Sequence, residues 1–268
     1  MTATSTALPA SARGSFSRPL VRHGRQLVLT LSGLLVLAGL WQLGIWQLQQ
    51  SLPLARMLAP VPALETLVEL VGSGEILGDV LASLRRVLLS LCLALAVGIP
   101  VGLAVGFWQR FDAATSGAFQ FLRMISPLSW MPIAVMIFGI GDSPVYFLLC
   151  MGAVWPVILN TAAGVRNLDP RWLILAQSMS ASRSELLLRV VLPGILGSVL
   201  TGTRLAIGMI WVLLVPCEML GVTSGLGYFI LDTRDRLAYS ELMAAILLIG
   251  MLGYLLDSLA RQVQRRWA

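Results

Sequence analysis

Residues 178–194 read SMSASRSELLLRVVLPG and form the most polar stretch between two long apolar runs. Within it, Ser182 to Glu185 match S-x-x-E, the capping box that begins a helix. We expect this helix to run from Arg183 to Leu192 and to end before Pro193, because proline disrupts helical hydrogen bonding. The stretch is too polar to enter lipid, so it predicts a folded helical element on one face of a membrane.

A second short helix is predicted just before this one. Asp169 is a good N-cap and Pro170 suits the first helical position, so a helix from Pro170 to about Met179 is expected. The loop from about 165 to 196 is then two short helices with a turn near Ser180. The residues alone leave two interpretations open: an amphipathic loop on lipid headgroups, or a docking element for a cytoplasmic partner.

The composition is that of a polytopic membrane protein. Of the 268 residues, 57% are hydrophobic and 12% charged, whereas soluble domains carry about 25% charged residues. All 19 basic residues are arginine and lie scattered between apolar runs, which argues against nucleic-acid binding. His23 is the single histidine, the three cysteines share no metal-ligand spacing, and no phosphate-binding loop or nucleophile elbow occurs. We therefore expect no catalytic or metal site and no cofactor in this chain.

The apolar runs predict six transmembrane helices, since a bilayer core needs about 20 mostly apolar residues per helix. The first run is too long for a signal peptide and is expected to be retained. We expect an all-α fold with a basic tail at 1–26 and a single transmembrane domain at 27–268. The predicted spans are 27–48, 86–107, 119–140, 145–164, 197–220 and 241–260.

The arginines predict the orientation of these spans. With the N-terminal tail inside, 12 arginines fall on the inner side and five on the outer side. Arg123 and Arg204 are expected near the inner ends of spans three and five. An excess of arginine marks the cytoplasmic side, so both termini are predicted to be cytoplasmic.

Two connections carry further structure. Leu64, Leu67, Val68 and Val71 share one helical face, which predicts a short interfacial helix over 63–71 on the outer side. The connection 221–240 mixes glycines with an apolar patch. It either dips into the protein or lies flat on its surface.

Small residues recur every four positions in span two, at Ala94, Gly98, Gly102 and Gly106. Such a stripe lets another helix approach closely. We expect it to be a packing face, either within the chain or against a second copy. Prolines interrupt several spans, and span three holds both Pro127 and Pro132. Broken helices line substrate paths in transporters, but simple kinks in packed helices fit the prolines equally well.

Glu218 lies within span five. A carboxylate there is a functional candidate by default, and the competing interpretation is an ion pair with an arginine such as Arg85 or Arg86. These two arginines could also offer a positive potential to an incoming oxyanion.

The loop resembles the EAA loop of permease subunits of bacterial binding-protein-dependent ABC importers. In that pattern Leu192 and Pro193 match the last two positions, Val190 takes the isoleucine position, and Ser180 takes the glycine position. Ala176 matches the last alanine, while Ile174 and Leu175 stand where the glutamate and first alanine are usual. Residues 56–260 resemble the nitrate, sulfonate, taurine and bicarbonate branch, in stretches such as PLSWMPIAVMIFGIG and SGLGYFILDTRDRLAYSELM.

The resemblance implies a type I importer permease in the bacterial inner membrane that is not itself an enzyme. Its partners would be a second permease copy as a homodimer, two cytoplasmic ATPases that bind ATP and Mg²⁺, and a periplasmic solute-binding protein. The ATPase-coupling residues would be Ala176, Ser180, Ala181, Ser182, Arg183, Glu185, Leu192 and Pro193. Spans three to five would line the path, with Ser126, Ser129, Trp130, Asn160 and Glu218 as candidates.

The expected cargo is a small anion such as an aliphatic sulfonate, taurine or nitrate. Another small solute, bicarbonate or a thiamine precursor, is the first alternative. An ion-coupled secondary transporter, suggested by the proline-broken spans and Glu218, is the second.

Overall fold

The computed structural model describes residues 18–51 and 53–267, with the side chains of 18–31, 34 and 53 outside that description. These residues form helices and no strand, so the predicted all-α fold is confirmed for them. Two 3₁₀ turns, Pro53–Leu58 and Pro127–Trp130, and one π-helical turn, Leu186–Val191, join the α-helices. The α-helices are α1 Arg18–Gln49, α2 Pro60–Ser73, α3 Leu77–Phe107, α4 Gln109–Met124, α5 Met131–Phe138, α6 Asp142–Arg166, α7 Pro170–Ser178, α8 Arg183–Glu185, α9 Leu192–Gly221, α10 Leu226–Asp235 and α11 Tyr239–Trp267.

Four helical stretches in the described part of the chain are long and apolar enough to cross a membrane: α3, α6, Arg183–Gly221 and α11. Each contains one of the predicted spans. The predicted first span lies on α1, but some of its side chains are outside the described residues, so that span stays a prediction. Of the predicted tail 1–26, residues 1–17 also lie outside the described residues, and α1 already begins at Arg18.

The predicted third span, 119–140, is not one helix. The chain bends by 86° between α4 and the Pro127–Phe138 segment, as in a broken span or a re-entrant loop. Ile125 and Ser126 are extended, with ψ of 126° and 129°. Proline disfavours the α conformation in the residue before it, so Pro127 accounts for the break. The helix also begins earlier than predicted, at Gln109.

The core is a layer of three helices, α3, α6 and α9, with α6 in the middle. Gly98, Gly102 and Gly106 of α3 lie against Val157, Thr161 and Val165 of α6, in parallel register. On the other side of α6, Gly202 of α9 approaches Pro156 and Val157. Buried side chains of all three helices fill this layer, among them Val87, Ala94, Leu148, Leu149, Val157, Ala206, Ile210 and Leu214.

The expected short helix over 63–71 is confirmed as α2, and its place at the outer membrane interface stays a prediction. Ala63, Leu67 and Leu70 are the buried residues, whereas Leu64, Val68 and Val71 are exposed. Leu67 and Leu70 pack in a cluster with Leu226 and Phe229 of α10. The connection 221–240 therefore packs into the protein through α10, which settles the choice that the sequence left open.

The chain divides into two compact units, Met1–Val61 and Pro62–Ala268. The predicted boundary between a tail and a membrane domain at residue 26 stays a prediction. All the sites described below lie in the second unit.

Candidate functional site

The loop between α6 and α9 is folded as two short helices around a tight turn. The Asp169 side chain accepts a hydrogen bond from the backbone N–H of Arg171 at 2.9 Å and caps α7. This is the predicted start, because a carboxylate at the N-cap satisfies an N–H that has no partner within the helix. α7 ends at Ser178, one residue before the predicted end.

Ser180 makes the turn in a left-handed conformation, with φ of +57°. Its N–H bonds to the Gln177 carbonyl, and the Ala181 N–H reaches back to the carbonyl of Ala176 at 3.1 Å. A left-handed residue after a helix is usually glycine, which carries no Cβ penalty. This explains physically why the family pattern has glycine at the position that Ser180 holds here.

The predicted capping box is present at Ser182. Its side chain accepts a hydrogen bond from the Glu185 N–H, and the Glu185 carboxylate accepts one from the Ser182 N–H at 3.0 Å. The Ser182 hydroxyl also donates to the Glu185 carboxylate at 2.8 Å. Reciprocal bonds between these two residues thus hold the start of the helix.

The expected end of this helix before Pro193 is wrong. Helical structure continues from Arg183 through Pro193 to Gly221. The turn before the proline, Leu186–Val191, is π-helical, and the Leu192 N–H bonds to the carbonyl of Leu187, five residues back. The wider turn lets the chain pass a residue that has no N–H and whose ring needs space. The loop between α6 and α9 thus joins α9 through continuous helical structure.

A cluster of apolar side chains is exposed on this loop. Trp172, Ile174, Leu175 and Met179 are 52–76% exposed. We call these four residues the apolar patch. Three of them, together with Ala176, Ser180, Ala181, Glu185 and Arg189, line a surface groove of about 300 Å³. An apolar surface of this kind on a polar loop marks an interaction site.

A second polar site is buried between α3, α6, α9 and α10. Arg86 is 2% exposed. Its Nη1 donates to Glu218 Oε1 at 2.7 Å, and its Nη2 and Nε donate to Asp142 Oδ1 at 2.7 and 2.9 Å. Ser83 donates to both oxygens of Glu218 at 2.8 and 2.9 Å. Of the two interpretations of Glu218, the structure favours the ion pair.

This network also caps the N-terminus of α10. The N–H groups of Gly225, Leu226 and Gly227 donate to Asp79, Ser83 and Glu218 at 2.7–2.9 Å. The first N–H groups of a helix have no partner within it, and here side chains of α3 and α9 supply the acceptors. Neither Gly225 nor Gly227 has room for a side chain in this network. A Cβ on Gly225 would lie 2.4 Å from Arg86 Nη1, and one on Gly227 would lie 2.5 Å from the Val215 carbonyl oxygen.

The predicted path residues are divided between two places. Asn160 lines a cavity of about 280 Å³ at the break between α4 and α5, bounded also by Pro127 and by α9. Ser126 and Ser129 are exposed in the break itself, and Trp130 is half-buried against the three-helix core. Glu218 is fully buried in the ion-pair network.

Sequence reasoning missed Asp79, Ser83 and Asp142 as members of the network. A signal existed, since the positions 79, 83, 86 and 90 are polar at helical spacing and lead directly into the small-residue stripe. Asp142 gives no such signal, because only the approach of α6 to α3 brings it to Arg86. Within residues 18–51 and 53–267, no group of three or more histidine, cysteine or acidic side chains could hold a metal ion.

A family model of binding-protein-dependent transport system inner membrane components matches residues 97–268. A bicarbonate transport system permease protein of Synechococcus elongatus is 38% identical over 159 residues, which is 59% of this chain and 57% of that protein. A nitrate import permease protein of Leptolyngbya laminosa is 36% identical over 55% of this chain and 53% of its own length. This chain thus aligns with little more than half the length of these two relatives.

A longer alignment exists with a Bacillus subtilis permease protein named for aliphatic sulfonates transport. It is 30% identical over 248 residues, or 91% of this chain and 89% of that protein. Among solved structures, a chain of the MetNI methionine ABC transporter in an inward-facing conformation superposes with a TM-score of 0.58. The superposition covers 69% of this chain and 93% of that one at 17% identity, so it supports the fold alone.

Proposed function

Because the chain belongs to the family of binding-protein-dependent transport system inner membrane components, we propose that it is the membrane-spanning permease subunit of an ABC importer. The cargo would be a small anion such as nitrate, bicarbonate, taurine or an aliphatic sulfonate. The observation that carries this proposal is the folded loop of α7 and α8, which exposes an apolar patch and continues into α9 as one helical stretch.

In the proposed assembly, two copies of the chain form the path, and each loop docks in a cleft on a cytoplasmic ATPase that binds ATP and Mg²⁺. A periplasmic solute-binding protein delivers the anion. The chain itself hydrolyses nothing. Movement of the ATPase is passed to α9 through the capped helix and the π-helical turn, because helical structure runs from Arg183 to Gly221 without interruption.

The loop contacts the ATPase mainly through apolar side chains. Ile174 and Leu175, which stand where the family pattern has glutamate and alanine, are 64% and 52% exposed. With Trp172 and Met179 they supply buried area on docking, at about 25 cal/mol per Å² of apolar surface. Among the candidates, Ser180, Ala181, Ser182 and Glu185 shape the loop, and Arg183 adds a positive charge at its edge.

Ile174→Asp tests the docking role, since a carboxylate among the exposed apolar side chains of α7 opposes their burial. We expect the variant to insert normally but to lose the co-expressed ATPase during affinity purification, and with it ATP-driven uptake. Leu64→Asp is the matched control, because Leu64 is similarly exposed on another short helix, α2. It should retain the ATPase.

Unchanged ATPase retention in Ile174→Asp, and in a chain lacking residues 178–189, would contradict the proposal. Ion-gradient-driven transport by the chain alone in proteoliposomes would favour the secondary transporter instead. Glu218 no longer favours that alternative, since Arg86 and Ser83 hold its carboxylate away from the α4–α5 cavity.

A further inference from the structure

Arg123 lies much deeper along the helical layer than its position in the sequence indicates. It is 14 residues past the start of α4 at Gln109, which is about 21 Å along a helix. Two contacts place α4 along α6. Asp112 pairs with Arg166 at 2.8 Å, and Phe119 packs edge-on against Trp155 at 5.6 Å between ring centroids. Arg123, one turn beyond Phe119, therefore lies near the middle of α6.

The charge of Arg123 is not neutralised within the described part of the chain. Its one hydrogen bond goes to a neutral acceptor, the Gln120 side-chain oxygen, at 2.7 Å. The acidic residue of the same helix, Asp112, lies about three turns away and is paired with Arg166. An ionised side chain in the middle of a membrane segment is costly and marks a functional site by default.

Arg123 opens onto the cavity at the α4–α5 break. The walls of this cavity of about 280 Å³ are largely apolar and come from α4, α6 and α9, with Asn160 as the second polar side chain. The Asn160 amide donates one N–H to the Pro156 carbonyl at 2.8 Å, which leaves a second N–H for a ligand. Low-polarity walls strengthen the field of the guanidinium inside the cavity.

We propose that Arg123 and Asn160 form an oxyanion-binding station on the transport path. The planar guanidinium fork suits two oxygens of a nitrate, bicarbonate or sulfonate group, and the free amide N–H suits a third. The proposal deepens the proposed function and rests on it for the direction and driving force of transport. It assigns anion selectivity within the membrane to this chain's own residues.

Cysteine labelling tests the station without requiring the cargo to be known. Leu159 is exposed in the same cavity. In the full chain in native membrane vesicles, Leu159→Cys is reacted with an anionic sulfonatoethyl and a cationic trimethylammonioethyl methanethiosulfonate. The parent chain gives the background from the three natural cysteines. We expect the anionic reagent to be favoured, and Arg123→Gln to lower the ratio of the two rates by about thirtyfold, because a unit charge about 4 Å away in water changes each rate about fivefold and in opposite directions.

Arg110→Gln is the matched control, because it removes the same charge from an exposed position on the same helix. It should leave the ratio unchanged, and Arg123→Lys should preserve it. Added ethanesulfonate or nitrate should slow the anionic reagent in Leu159→Cys, a measurement that needs no variant of Arg123.

An equal ratio of the two labelling rates in Leu159→Cys with and without Arg123→Gln would contradict the proposed station. A Leu159→Cys chain with no charge preference and no protection by anions would also contradict it. Because labelling needs no ATPase, the outcome is independent of the docking test. If Ile174→Asp loses the ATPase but the anion preference is retained, both the station and the importer are supported. If the chain without that substitution shows the anion preference but binds no ATPase, the station is supported and the importer is rejected.

Discussion

Arg86 is the residue on which the buried network depends. All five of its N–H groups have acceptors, on Glu218, Asp142, the Ser224 carbonyl and the Ser224 hydroxyl. Burying an ion costs several kcal/mol unless its partners satisfy it. Two carboxylates oppose one guanidinium here, and the N–H of Gly227, at the positive end of α10, stabilises the additional negative charge.

Glu218→Gln removes one of these carboxylates while keeping the shape of the side chain. We expect a loss of about 1–3 kcal/mol in stability, because the glutamine NH₂ replaces one acceptor oxygen and leaves either Arg86 Nη1 or the Gly227 N–H without its acceptor. Thermal unfolding in detergent measures this loss. Arg85→Gln is the control, because Arg85 is the exposed neighbour of Arg86 on the same helix, and it should unfold as the parent does.

A double-mutant cycle with Arg86→Met separates the ion pair from general packing. The double variant should lose less than the sum of the two single losses, because the contact between Arg86 and Glu218 is lost in each single variant and is counted only once in the double variant. Additive losses, or a Glu218→Gln variant as stable as Arg85→Gln, would show that the pair contributes little.

At the scale of elements, the stripe of small residues determines how α3 packs. The predicted packing face is confirmed, and it packs within the chain. A Cβ on Gly98, Gly102 or Gly106 would lie 2.6–2.7 Å from a side-chain atom of α6. In lipid, where no hydrophobic force draws helices together, such close backbone approach is a main source of helix association.

Gly102→Ala is predicted to separate α3 from α6. The new methyl group would meet Thr161 Cβ at 2.6 Å and the Ile158 carbonyl oxygen at 2.8 Å, and backbone cannot move aside as a flexible side chain can. Overpacking of this kind costs about 1–3 kcal/mol, which should lower the melting temperature in detergent by several degrees.

Gly250→Ala provides the comparison for this change. Gly250 is also inside a helix but has nothing within 4 Å of its Cβ position, so alanine should be neutral or slightly stabilising there because of its higher helix propensity. Equal melting temperatures for the two variants would mean that the close contact does not contribute to stability.

For the whole molecule, the open question is its orientation in the membrane. The parallel register of α3 and α6 requires both helices to cross in the same direction, and α4 lies between them in the chain as a return segment. The bent pair of α4 and Pro127–Phe138 therefore has to bring the chain back across the membrane between α3 and α6. With the arginine bias, this connectivity predicts that both termini are cytoplasmic.

Reporter fusions test this orientation. Green fluorescent protein after residue 268 should fluoresce, because it folds in the cytoplasm, and alkaline phosphatase inserted at Gly74, in the turn between α2 and α3, should be active outside. Phosphatase activity at the C-terminus, or none at Gly74, would contradict the predicted orientation.

The composition, the apolar runs and the S-x-x-E and Asp-Pro signals were enough to predict an all-helical membrane protein with a folded loop. Each of these signals is local, since capping and hydropathy depend on neighbours in the chain. The errors arose where distant contacts decide. The approach of Asp142 to Arg86 depends on the packing of α6 against α3, and the helix continues through Pro193 only because a π-helical turn accommodates the proline.

By itself the sequence determined the fold class, the loop with its caps, and the stripe along α3, because these follow from residue type and helical spacing. Only the tertiary structure decided which surface the stripe meets, which groups neutralise Glu218, and how deep Arg123 lies. Asp142 and Glu218 are 56 and 132 residues from Arg86 in the chain, and no periodicity within one helix can specify partners at such distances. Packing of α6 and α9 against α3 brings them together.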